Sequence, residues 1–130
     1  MAAPAPFRSY TLLIVDDDEG MRENLQDLFE SLGYRVLTAA NAAEAHKALD
    51  GTTVDLVLTD YKMPGPTGVE LIESARRKRP KLRAILMTAF GDSFTEIESV
   101  RRGAIGYLNK PFEADEVTKF VRQILDLPEA

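Results

Sequence analysis

The sequence predicts a doubly wound α/β domain, a parallel five-stranded sheet with helices on both faces. Three observations carry this. Short apolar runs recur five times, each is followed by residues that suit a helix, and the connections between them are short. Strands alternating with helices require right-handed crossovers and a sheet covered on both sides. A chain of 130 residues is long enough for one sizeable core.

The elements follow in order. Residues 10–15 (YTLLIV) form a buried strand that stops at Asp16-Asp17-Asp18-Glu19. Met21, Leu25, Leu28, Phe29 and Leu32 then share one helical face, and Gly33 stands where a glycine ends a helix. Residues 34–38 (YRVLT) are rich in strand formers. Asn41 suits an N-cap for a helix over 42–49, with Gly51 closing it. The third strand, within 54–60 (VDLVLTD), ends in Asp60 and is followed by Met63-Pro64-Gly65-Pro66. A helix over 69–78 is stopped by Pro80. Residues 82–87 (LRAILM) form a fourth strand that runs into Thr88-Ala89. Asp92 or Ser93 caps a helix through Arg102, which Gly103 ends. Residues 104–108 form a short fifth strand leading into Asn109-Lys110-Pro111. The last helix covers 114–126 with Val117, Phe120, Val121, Ile124 and Leu125 on one face.

Composition narrows the chemistry. The chain is 45% hydrophobic and 28% charged, ordinary for a globular protein, with a formal net charge of −5. That balance argues against a direct nucleic-acid partner, whose binding rests on Lys and Arg. Without cysteine there is no disulfide, thiolate metal site or thiol nucleophile, and the single His46 excludes multi-histidine sites. No apolar run reaches the roughly 18 residues of a membrane span. Residues 1–9 read as a flexible leader rather than a signal peptide, 10–127 as the domain, and 128–130 as a tail or the start of a linker. The expected location is cytoplasmic.

Polar residues gather at one sheet edge. The first strand ends in Asp16 and Asp17, the third in Asp60 and the fourth in Thr88, while Lys110 follows the fifth. The C-terminal ends of parallel strands lie on one side, where open α/β sheets bind ligands. Two like charges 4 Å apart repel by about 4 kcal/mol at an effective dielectric of 20. Three carboxylates therefore need a positive partner, either Lys110 or a hard divalent cation. An all-oxygen site with room for water suits Mg²⁺. Asp18 and Glu19 read instead as first-turn acids favoured by the helix dipole.

The stretches LLIVDDDE (12–19), LVLTDYKMPGPTG (56–68), ILMTA (85–89) and YLNKPF (107–112), in that order, resemble a response-regulator receiver domain of two-component signalling. The resemblance runs over about 11–127. It implies a flavodoxin-like (βα)5 fold with strand order 2-1-3-4-5. It implies Asp60 as phosphoacceptor, fed by a phosphohistidine donor. Asp17 would be a direct Mg²⁺ ligand, Asp16 would act mainly through water, and the backbone carbonyl of Lys62 would complete the protein ligands. Mn²⁺ would be the expected substitute. Thr88 and Lys110 match the family's hydroxyl and lysine, Tyr107 its switch aromatic, and Lys110-Pro111 its cis peptide. Thr88 and Tyr107 would switch the surface built from the 92–102 helix, the fifth strand and the last helix. Lys62 and Phe90 would obstruct attacking water and make self-dephosphorylation slow. The implied partners are a sensor histidine kinase or a histidine phosphotransfer protein, an output domain or target on the 92–126 surface, and a second copy in a phosphorylation-dependent homodimer. Neither nucleic acid nor membrane is expected to bind directly. No catalysis is expected beyond the chain's own phosphorylation and dephosphorylation.

Two other readings use the same residues. A haloacid-dehalogenase-type phosphatase would use Asp16-Asp17-Asp18, but Gly20 stands where its Thr or Val belongs and Asp60 is left unexplained. A pseudo-receiver would keep the fold as a protein-binding module without phosphorylation. Arg76-Arg77-Lys78-Arg79, with Lys81 and Arg83, reads as a solvated helix end where cations complement the dipole. His46 reads as an exposed surface residue.

Overall fold

The computed structural model describes residues 10–89 and 93–127. The leader, Phe90, Asp92 and residues 128–130 lie outside the described residues. Ten elements alternate: β1 (Thr11–Val15), α1 (Glu19–Ser31), β2 (Arg35–Ala39), α2 (Ala42–Gly51), β3 (Leu56–Asp60), α3 (Gly68–Lys78), β4 (Arg83–Thr88), α4 (Ser93–Arg101), β5 (Gly106–Asn109) and α5 (Ala114–Asp126). The strands form one parallel sheet in the order β2-β1-β3-β4-β5. This is the doubly wound order expected from the sequence.

Successive side chains on a strand point to opposite faces, so a sheet buried on both sides needs unbroken apolar runs. β1, β3 and β4 supply them. Leu13, Val15, Val57, Ala84 and Leu86 pack against Ala45 and Leu49 of α2 and Leu71, Ile72 and Ala75 of α3. Leu12, Ile14, Leu56, Leu58, Ile85 and Met87 pack against Leu25 and Phe29 of α1 and Val117, Val121 and Ile124 of α5. The two cores lock the sheet between the helix layers and hold the C-terminal strand ends in fixed relation.

Local chemistry sets the boundaries. Asp18 caps α1 by accepting from the Met21 amide at 3.3 Å, and Asn41 caps α2 by accepting from the Glu44 amide at 2.9 Å. Gly33 and Gly103 follow their helices with φ of +96° and +117°, the left-handed region that favours glycine. Four expectations are corrected. Gly51 is the last residue of α2 and has no positive φ; the helix ends at extended Thr52, whose amide donates to the Ala48 carbonyl. Leu32 is 56% exposed because it caps α1, where the chain has left the helical period. Ala104 is taken up by a turn closing α4, with its amide donating to the Ser99 carbonyl, so β5 begins at Gly106. His46 is half-buried, its Nε2 lying 2.9 Å from Ser74 Oγ of α3. Ser74 Oγ donates to the Leu71 carbonyl, so the imidazole is the donor to Ser74.

Candidate functional site

β1 delivers Asp16 and Asp17, β3 delivers Asp60, β4 ends in Thr88, and the residue after β5 is Lys110. Pairing of β1 with β3 sets Asp16 beside Asp60, which ends the central strand of the sheet. Asp16 is fully buried. Its Oδ2 accepts from Lys110 Nζ at 2.8 Å and its Oδ1 from the Asp18 amide at 3.0 Å. Asp60 is half-buried; its Oδ1 accepts from the Tyr61 amide at 3.0 Å and lies 3.4 Å from Lys110 Nζ. Asp17 is exposed at the rim. One carboxylate oxygen from each of the three lies within 4.8 Å of the others. Lys110 is positioned by its own backbone, since its amide donates to the Thr88 carbonyl at 2.8 Å. The Lys110-Pro111 bond is cis, as the resemblance implied.

The electrostatics follow from this crowding. Burial first, and then the neighbouring Asp16 charge, push the Asp60 carboxyl above its ordinary value, against the opposing pull of Lys110. Burial pulls the Lys110 ammonium down, but the hydrogen bond and charge of Asp16, helped by Asp60, outweigh it and hold its pKa above the usual value. Lys110 pairs with Asp16 and Asp60, and Asp17 adds a third negative charge, so the three acids carry more charge than this one ammonium offsets. All-oxygen donors at this spacing, with that excess charge, fit a hard divalent cation.

A shallow cleft of about 500 Å³ opens beside the acids, lined by Asp17, Asp60, Lys62, Met63, Pro64, Ala89 and Lys110. A larger cavity of about 1010 Å³ lies at the opposite edge, among Tyr10, Val54, Leu82 and Leu125. Its size does not make it the chemical site, because the converging acids and the lysine are at the other end. Thr88 is fully buried, and Tyr107 is half-buried against the α2–α3 core. Tyr107 pairs with Leu86, two residues before Thr88 on the neighbouring strand, so the two side chains share a face. Lys62 is exposed at the cleft.

Two site-shaping features escape the sequence reading. Arg22 of α1 donates from Nη1 to the Asp16 carbonyl at 2.8 Å; no local signal marks a bond that spans the start of a helix. Gly68 opens α3 with its amide donating to the Tyr61 carbonyl, and a Cβ there would stand 2.1 Å from the Asp60 carbonyl oxygen. The neighbouring capping box, Thr67 with Glu70, escapes the sequence reading as well, although its T-x-x-E pattern is a local signal.

Comparison with known proteins agrees with the fold. The family model "Response regulator receiver domain" matches residues 12–122. The chain is 37% identical over 116 residues to the sporulation initiation phosphotransferase F of Bacillus subtilis, covering 89% of this chain and 94% of that protein. It is 35% identical over 112 residues to the DNA-binding transcriptional regulator NtrC of Escherichia coli, covering 86% of this chain but only 24% of that longer protein. Among solved structures, a CheY-like response regulator receiver domain from Methanospirillum hungatei superimposes with a TM-score of 0.88 at 30% identity, covering 92% of this chain and 95% of the other. Among the described residues, no helix is long and apolar enough to cross a membrane. The fold, the edge and the matched sequence together show that the chain belongs to the response regulator receiver domain family of two-component signal transduction.

Proposed function

We propose that Asp60 is the phosphoacceptor and takes its phosphoryl group from a phosphohistidine of a sensor kinase or phosphotransfer protein. One observation carries this: Asp60 stands in an open cleft with a buried acid and a lysine already held against it. A carboxylate oxygen of Asp60 attacks phosphorus, the P–N bond to imidazole breaks, and an acyl phosphate forms. Lys110, within 3.4 Å of Asp60, contacts a phosphoryl oxygen and offsets the charge that the transfer brings. Asp16, Asp17, Asp60 and the carbonyl of Lys62 would hold Mg²⁺, which when bound neutralises phosphoryl and carboxylate charge.

The new group adds about −1.5 to −2 charge beside buried Thr88. Thr88 Oγ turns to hydrogen-bond it, Tyr107 fills the space left, and the α4–β5–α5 surface changes for an output domain, a target or a second copy. The exposed side chain of Lys62 at the cleft shields the acyl phosphate from water, so self-dephosphorylation is slow. These roles place the protein in the cytoplasm.

Acetyl phosphate labelling tests the reading. Wild type should take label only with Mg²⁺, and Asp60→Asn should take none. Equal labelling of the variant removes Asp60 from the role, while no labelling of wild type by acetyl phosphate or by a phosphohistidine donor favours a binding module.

A further inference from the structure

We propose that Arg22 is a positioning residue for the acidic pair, setting the affinity of the site for its divalent cation by fixing the peptide that presents Asp17. This rests on the reading that Asp16, Asp17 and Asp60 hold Mg²⁺. β1 ends at Val15, so sheet pairing does not reach Asp17. The strand end is tethered instead at Asp16. Its amide donates to the Ala39 carbonyl at 3.1 Å, its Oδ1 accepts from the Asp18 amide, and its Oδ2 accepts from Lys110. These tethers hold the amide and the side chain of Asp16, and the one from Asp18 also holds the peptide after Asp17, but none of them holds the Asp16–Asp17 peptide. The carbonyl of Asp16 belongs to the next planar unit, which it shares with the Asp17 amide. Arg22 Nη1 holds that oxygen at 2.8 Å, from a half-buried guanidinium whose helix is rooted by the Asp18 cap.

With that oxygen held, the peptide plane is fixed and the exposed Asp17 side chain starts from one direction, from which its oxygen meets those of Asp16 and Asp60 within 4.8 Å. With it released, the plane rotates and Asp17, which is on the surface, swings out of the cluster. Charge acts in the opposite sense. A guanidinium close to the acids repels a divalent cation, so removing it would tighten binding if field rather than geometry controlled affinity. The two effects have opposite signs, which lets one variant decide between them.

The measurement is calorimetric titration of the full 130-residue chain with MgCl₂. Arg22→Ala and Arg22→Met, the latter keeping the aliphatic stem, should bind about tenfold more weakly than wild type, the scale of a charged donor lost from a carbonyl. Arg22→Lys keeps a charged donor and should recover most of that loss. The amide nitrogen shift of Asp17 should move in the Ala and Met variants before any metal is added. Equal or tighter binding by Ala and Met overturns the proposal. If Arg22→Ala fails to fold, Arg22→Met is read against Arg22→Lys alone. A wild type that takes no Mg²⁺ overturns both this proposal and the reading it rests on; a wild type that binds while the variants match it overturns only the proposal.

Discussion

Asp60 and Lys110 carry opposite consequences for stability. In the unfolded chain the Asp60 carboxyl titrates near 3.8, and in the fold it titrates higher because burial and Asp16 disfavour its charge. The folded state therefore binds the proton more tightly, and ionised Asp60 lowers stability above its raised pKa. Asp60→Asn should raise the urea midpoint at pH 7 without divalent cation. The gain should shrink as pH falls through the folded pKa towards 3.8, and a lower midpoint at pH 7 would refute this. Lys110 works in the other sense. Its folded pKa lies above 10.5, so its contribution is fully present below that value and is lost as pH rises through the folded pKa. Lys110→Met leaves fully buried Asp16 without its ammonium and should cost about 3 kcal/mol at pH 7, read as a drop in urea midpoint.

At the scale of elements, the β3–α3 connection carries the tightest constraint. Gly68 lies against the backbone of Asp60, and backbone cannot swing away from an added methyl group. Gly68→Ala should cost about 3 kcal/mol, and the strain should reach the Asp60 loop directly. Gly106→Ala makes a similar close contact, but with the outer end of the Phe120 ring, which can turn. It should cost about 1 kcal/mol, and equal losses in the two variants would contradict this distinction. Thr67→Ala removes one half of the α3 capping box and should cost about 1 kcal/mol by thermal or chemical denaturation. The basic run from the last turn of α3 into β4 is partly structural: Arg76 donates to the Leu82 carbonyl, Arg79 pairs with Asp50 at 2.8 Å, and Arg83 donates to the Leu127 carbonyl at 2.6 Å. These cations tie α2, the α3–β4 turn and the end of α5, a use that the expectation of a solvated helix end did not include.

For the whole molecule, one sheet serves two cores, so neither helix layer is independent of the other. Leu58, at the centre of β3, is fully buried on the α1–α5 side, while its neighbour Val57 faces α2 and α3. Leu58→Ala should lower stability by about 3 kcal/mol, moving the urea midpoint without changing the slope. A second transition would show that the layers unfold separately. The same coupling holds the strand ends at which the proposed chemistry takes place.

The sequence by itself determined the number and order of the elements, the parallel sheet and the edge at which Asp16, Asp17, Asp60, Thr88 and Lys110 collect. Apolar period and turn residues are local signals, and parallel strands put all their C-terminal ends on one side. Only the tertiary structure decided which atoms meet. That Lys110 lies closer to Asp16 than to Asp60, that Arg22 holds the Asp16 carbonyl, and that His46 packs on Ser74 depend on how separate helices and loops settle on the sheet. Leu32 and Gly51 were misread because helical spacing does not say where the last turn stops. Those distances come from packing between segments far apart in the chain, and no local pattern encodes them.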